Sequence, residues 1–233
     1  MLYNFLRKGL IETMDKKRQM SETFRIGILL AIVGGFLDAY TYILRGKVFA
    51  NAQTGNIVLL GLNISEGNLK YSIYYLIPIL AFALGVIISE FIKSKNKDNN
   101  NIHWRQIIIV IEIIILFIVG FIPCGNMNLI VNVAISFVCS MQVESFRKVN
   151  GNAFATTMCT GNLRSGTEQL YKYQRTKDKN MLYKTLQYYG IILFFILGAA
   201  IGTFATNMFN EKSILCCCGI LLLAYIIMFK DEI

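Results

Sequence analysis

The sequence predicts an all-α membrane protein of six transmembrane helices, arranged as two inverted three-helix repeats, each with a short interrupted TGN segment. Three observations lead there. Hydrophobic residues make up 55% of the 233 residues and charged residues 16%, and a soluble domain cannot hide several apolar runs of nearly 20 residues. Lys and Arg gather in alternate polar segments. One stretch, GGFLDAYTYILRGKVFANAQTGNIVLLG at 34–61, also returns in outline. Thr54-Gly55-Asn56 recurs as Thr160-Gly161-Asn162, and Asp38 as Glu144, both 106 positions later.

Residues 1–24 form a cytoplasmic N-terminal segment in which Arg7, Lys8, Lys16, Lys17 and Arg18 mix with Leu2, Phe5, Leu6 and Leu10. A surface-lying amphipathic helix and a solvated tail both fit. The first apolar run starts after residue 24, is full length and lacks an A-x-A site, so no cleavable leader is expected. The single membrane domain is 25–233, with spans at Arg25–Leu44, Tyr71–Ile92, Arg105–Ile122, Met127–Phe146, Lys184–Thr206 and Ser213–Phe229. Ile57–Leu62 is apolar but far shorter than the roughly 20 residues a crossing needs. Tyr71, Tyr74 and Tyr75 make an aromatic belt at one end of the second span, and Trp104 marks an interface. Pro78 is expected to kink the second span. Pro123-Cys124-Gly125-Asn126 is a tight turn by composition, and 147–183 is a long basic connection.

Nineteen of the 23 Lys and Arg fall on one side of an alternating six-span chain; Arg45, Lys47, Lys70 and Lys212 fall on the other. That bias puts both termini in the cytoplasm. It also accounts for the net charge of +9 without nucleic acid, since no stretch outside the spans could build a basic binding face. The six cysteines form no C-x-x-C pair and the lone His103 sits in a polar loop, so neither a metal nor a cofactor is expected. For Cys216-Cys217-Cys218, core packing is the simpler reading and palmitoylation the other.

Three spans per unit (25–122 and 127–229) require the second unit to be inverted. AFALGVIISEFI at 81–92 matches FFILGAAIGTFA at 194–205, Gly85 over Gly198. Interrupted helices between inverted units are a recurrent way to build a pathway through a membrane. If Thr54 and Thr160 cap two half-helices, free N–H groups point toward the midplane from opposite sides. Gly55 and Gly161 would then allow close approach, and Asn56 and Asn162 supply amides. The plain alternative is a helix N-cap with a permissive glycine. The more polar second segment fits equally a helix at the cytoplasmic interface. Ionisable groups within spans point to function, which singles out Asp38, Glu112 and Glu144. Against this, Arg147 stands at ion-pair spacing from Glu144, and Glu90 can pair with Lys93.

GGFLDAYTYI followed by FANAQTGNIVLLG and a later TGNL resembles the YoaK-type family of bacterial multi-pass membrane proteins, a domain of unknown function, from residue 25 onward. Gly34, Gly35, Asp38, Thr41, Thr54, Gly55, Asn56, Thr160, Gly161 and Asn162 carry the likeness. It implies an integral membrane protein and names no substrate.

Two function classes remain. One is a small-solute transporter or channel, proton-coupled in its most specific form, with its site between the repeats. The other is a non-transporting assembly or sensing protein whose buried polar residues only fix packing. No Ser/His, Cys/His or metal constellation suggests an enzyme. The expected partners are the lipid bilayer, an unknown small solute or ion, and a second copy in a homo-oligomer. Single cysteines at Asn68 and Asn210 of a cysteine-free variant are expected to react with an impermeant reagent in intact cells, and those at Asn99 and Lys177 to stay unlabelled. Labelling at 177 from outside would defeat the inverted arrangement.

Overall fold

The computed structural model describes residues 20–96, 103–149, 152–154, 156–157 and 159–229. Up to residue 19, the surface-helix and solvated-tail readings of the N-terminal segment lie outside the described residues, as do Asn150, Gly151 and Ala155. Among the described residues eight α-helices follow one another: α1 (Phe24–Leu44), α2 (Gln53–Ser65), α3 (Leu69–Asn96), α4 (Trp104–Val119), α5 (Asn128–Ser145), α6 (Cys159–Thr176), α7 (Lys179–Phe209) and α8 (Leu215–Met228). A two-residue ladder, Lys148 opposite Ala153 and Val149 opposite Asn152, stands between α5 and α6. A 3-10 turn at Asn210–Ile214 separates α7 from α8.

Among the described residues, four stretches are long and apolar enough to cross a membrane: Phe24–Leu44, Leu69–Asn96, Asn128–Ser145 and Lys179–Met228. The protein is therefore an all-α membrane protein. α4 has 16 residues and α8 has 14, about 24 Å and 21 Å at 1.5 Å per residue. Exposed Leu69, Ile73, Leu80, Leu84, Ile87 and Phe91 form the outer face of α3, and Leu186, Leu193, Ile201 and Phe204 that of α7. In water such faces would be untenable; in lipid they are the solvated surface.

Several expectations change. The basic connection 147–183 contains a complete helix, α6, which is polar on the whole but gathers its apolar residues on one side. The apolar piece at 57–62 belongs to the 13-residue α2. Pro78 is no break: α3 continues as helix on both sides of this buried residue. His103 is the N-cap of α4: its Nδ1 accepts from the Arg105 amide at 3.3 Å, and the Gln106 side chain accepts from the His103 amide at 3.0 Å.

The helices pair in a regular way. α1 lies along α7 and α5 along α3; α2 lies on α3 and α6 on α7; α4 and α8 pack on each other, α4 also on α5 and α8 also on α1. Exchanging α1, α2, α3 and α4 for α5, α6, α7 and α8 maps each of these pairings onto another of the set, except α4–α8, which maps onto itself.

Glycine sets the closeness of the two long seams. A Cβ on Gly35 would collide with the Phe195 carbonyl and lie 2.9 Å from the Ala199 nitrogen. One on Gly198 would collide with the Ile32 carbonyl, and one on Gly202 would lie 2.8 Å from the Phe36 Cα. Across the other seam, Gly85 backs onto Ser140 and Phe137, and the Ser89 and Ser145 hydroxyls meet at 2.8 Å. Helices that associate within lipid gain mainly from such close backbone approach. By contrast, a Cβ on Gly55 or Gly161 meets nothing within 4 Å. Gly35→Val is therefore expected to destabilise the protein by about 2 kcal/mol or more through forced helix separation. Gly161→Val should melt like the parent when both are heated in detergent.

Candidate functional site

The site is built around the middle of α1. After Leu44 the chain turns through Gly46 (φ 92°) and Lys47 (φ 59°), left-handed conformations that glycine adopts readily and lysine seldom. It does not then stay at the end of the bundle. Asn51 Nδ2 donates to the Gly34 carbonyl at 2.8 Å, and the Asn51 amide to Asp38 Oδ1 at 3.2 Å. Gly34 is the eleventh of the 21 residues of α1, about 15 Å from either end. Ser136, at the middle of α5, donates to the Ala50 carbonyl at 2.9 Å and accepts from Gln53 Nε2 at 3.2 Å. Asn56 Nδ2 donates to Gln53 Oε1 at 2.9 Å, so an amide chain leads from this crossing into α2.

The second segment arrives at the same place. Phe154 stacks on Tyr188 with ring centroids 4.1 Å apart. Gln142 Nε2 donates to Thr156 Oγ1 at 3.0 Å and to the Leu30 carbonyl at 3.2 Å, fastening this segment to α5 and α1. Thr157 fills the space a side chain at position 34 would occupy: a Cβ there would lie 2.8 Å from Thr157 Cγ2. Gly34 thus takes one non-helical segment on its carbonyl and the other on its bare Cα. Asp38, one turn further along α1, lies within electrostatic reach of Cys139 on α5 and of Cys159, the first residue of α6.

The two TGN triplets have matching surroundings. Thr54 and Gly55 are exposed while Asn56 is buried, and Thr160 and Gly161 are exposed while Asn162 is buried. Neither threonine is the cap. α2 begins at Gln53 after Ala52, and α6 begins at Cys159, so both threonines lie inside the first turn. Gly55 and Gly161 both open onto free space. The two helix starts, 53 and 159, differ by the same 106 residues as the triplets. Along α6 an open groove of about 660 Å³ begins at Thr160 and is lined by Leu163, Arg164, Thr167, Glu168 and Tyr171. Lys172, 2.6 Å away, and the charge of Arg164 hold the Glu168 carboxyl below the usual range.

Of the other acids, Glu144 is in the last turn of α5, where it pairs with Arg147 at 2.6 Å. Its carboxyl adjoins Glu90, which pairs with Lys93 at 2.6 Å. Asp38 and Glu144 have no partner in common, so the two acids are not brought together at one point. Glu112 is buried inside α4, and neither of its oxygens has a hydrogen-bond partner among the described residues. Thr41 donates to the Leu37 carbonyl at 3.0 Å and accepts the Ala50 amide at 3.4 Å, which holds the first non-helical segment against α1.

Two arginines that sequence reading treats as loop charges prove to be buried. Arg45 is fully buried; it donates to Tyr40 Oη at 2.6 and 3.2 Å, to the Ile122 and Pro123 carbonyls at 2.8 and 3.0 Å, and to Asn128 Oδ1 at 3.4 Å. A cation beside the carbonyls that follow α4 also complements the helix dipole. Tyr40 in turn donates to the Glu211 carbonyl at 3.3 Å. Glu211 accepts from the Cys124 amide at 3.1 Å, and hydrogen bonds from its own amide and from Cys124 hold its carboxyl below the usual range. Arg105 reaches the Ser145 carbonyl, Ser21 Oγ and Glu22, each at 2.8 Å, and so ties α4, α5 and the start of the described chain together. A signal for Arg45 is present in the sequence: it directly follows an apolar span and has Tyr40 five residues before it.

The model of the family described as "Protein of unknown function (DUF1275)" matches residues 26–227. The chain belongs to the DUF1275 family. A curated relative, "UPF0700 transmembrane protein YoaK" of Bacillus subtilis (strain 168), is 26% identical over 185 residues, covering 74% of this chain and 79% of that protein. No solved structure matches. The family match spans both TGN triplets and reaches into every helix of the pairing scheme, and it agrees with the YoaK-type resemblance carried by GGFLDAYTYI and the TGN motifs. For this DUF1275 member, Asn51→Ala removes the side-chain bond to Gly34. It should lower stability by about 1 kcal/mol, read as a lower melting temperature in detergent with the parent's helix content.

Proposed function

We propose that this DUF1275 protein is a small-solute carrier of the bacterial plasma membrane, with its central site at the Gly34–Asp38 crossing. Its two halves act as inverted repeats, 25–122 and 127–229. Six helices cross the membrane in this reading (α1, α3, α4, α5, α7 and α8), while α2 and α6 start at mid-depth and return to the side from which their segments entered. Residues 1–24 and the C-terminus are cytoplasmic.

The observation that carries the reading is the meeting of two non-helical segments on Gly34. Irregular backbone at membrane depth is tolerated where it is buried in protein or lines a water-filled path, and broken elements at a repeat interface are where carriers bind their solutes. The exchange of helix pairings and the shared 106-residue offset of the α2 and α6 starts support the repeat. The groove from Thr160 to Tyr171 supports a water-filled approach, because Arg164 and Glu168 on its wall are poorly suited to lipid. Asp38, Thr41, Thr54, Gly55, Asn56, Thr160, Gly161 and Asn162 are assigned to the solute site and its two mouths. Glu112 is assigned to ion coupling, and Glu144 to the end of the second repeat.

A second reading has one observation in its favour. Asp38 accepts the Asn51 amide, so its carboxyl also clamps the first non-helical segment, as a purely structural acid in an assembly or sensing protein would. Flux and stability separate the two. In proteoliposomes screened with radiolabelled amino acids, sugars and inorganic cations, with and without a proton gradient, the parent is expected to move at least one class. Asp38→Asn should lower that flux tenfold or more while its abundance and melting temperature stay near the parent's. Gly55→Val should lower flux without loss of stability. A joint fall of flux and stability in Asp38→Asn would make the carboxyl structural.

A further inference from the structure

Glu112 is used by none of the contacts that hold the crossing. It is 1% exposed, lies nine residues into the 16-residue α4, and neither carboxyl oxygen meets a donor among the described residues. The groups around it explain why. From α8 the Cys217 and Cys218 thiols lie within its electrostatic reach, and from α5 the Cys139 thiol does. On α3, Glu90 and Lys93 pair with each other. In the 3-10 turn beyond α7, Glu211 is taken by the Cys124 amide and Lys212 follows it. Among the described residues, no cation faces Glu112. An ionised carboxylate so placed would lose its hydration with nothing to offset the loss, whereas a neutral acid fits a wall of thiols and isoleucines.

Cys218 Sγ donates to the Ile113 carbonyl at 3.7 Å, so α4 and α8 meet at the residue next to Glu112, whose charge is felt by Cys217 and Cys218. These two helices are each other's counterparts in the pairing scheme, so a rocking of one half against the other would work this seam. The Cys139 thiol on α5 feels the charge of both Glu112 and Asp38.

We propose that Glu112 is a proton-binding site in the α4–α8 seam, occupied by a proton while the seam is closed and emptied when the seam opens to water. The binding step is a proton transfer from water or hydronium to one carboxylate oxygen, and release is the reverse. The site does not depend on the transport reading; the role of its proton in driving solute movement does.

Infrared spectroscopy of the full-length protein in lipid nanodiscs at neutral pH tests it. The parent and Asp38→Asn are expected to show the carbonyl stretch of a protonated carboxylic acid, and Glu112→Gln to lack it. Uniform 13C-glutamate labelling of the parent should shift the band, which keeps the test decisive if Glu112→Gln does not fold. After transfer into deuterium oxide the band should move slowly, because exchange waits on opening of the seam. An unchanged band in Glu112→Gln, no shift on glutamate labelling, or exchange within the mixing time would overturn the proposal. A band that behaves as expected in a protein that moves no solute would instead remove the transport reading and leave the proton site standing.

Discussion

Two pieces of non-helical backbone inside this bundle must find hydrogen-bond partners without water, and much of the architecture follows from that requirement. At the first piece, Ala50 offers its carbonyl to both Ser136 and Gln53, and the Asn51 amide and side chain are used by Asp38 and Gly34. At the second, Thr156 is held by Gln142, which also reaches Leu30. The polar residues within α1 and α5 that look out of place in apolar helices (Asp38, Thr41, Ser136, Gln142) are the ones that serve these segments. The same side chains are therefore both fastenings and the hydrogen-bonding chemistry at that depth, so a solute site there would share its groups with the scaffold.

The apolar helices are legible in the sequence because burial in lipid needs only length and composition, and the six apolar runs correspond to α1, α3, α4, α5, α7 and α8. The duplicated TGN marks the two short helices, and the i,i+3 spacings of Glu90 with Lys93 and of Glu144 with Arg147 become ion pairs of 2.6 Å. What stays hidden depends on where the chain folds back. α6 is obscured by its polar composition, since hydropathy averages over a helix whose apolar residues sit on one side. Thr54 and Thr160 resemble caps by residue type, but capping is set by where the backbone turns, and it turns one or two residues earlier. Arg45 reads as a loop charge because sequence alone does not show that the turn after α4 lies above the end of α1.

Gly35, Gly198 and Gly202 in one seam and Gly85 in the other bring long helices into backbone contact, whereas Gly55 and Gly161, the glycines inside the repeated motif, touch nothing. Glycines alike in type thus divide by role. Those in long helices serve packing, and those in the TGN triplets leave the outer side of a short helix bare, with a buried asparagine directly after each.

The bond from Ser136 to Ala50 spans 86 residues of sequence, and this bears on how the chain is made. Synthesis delivers α1 and α2 to the membrane long before α5 exists. In that interval the Ala50 carbonyl has only the Gln53 side chain, and the space over Gly34 waits for Thr157. The first half is consequently not a unit that can rest in lipid. Either its non-helical segment remains at the aqueous surface until α5 has inserted, or the insertion machinery shelters it. A gene divided between the halves would yield a first fragment that depends on its partner for biogenesis as well as for activity.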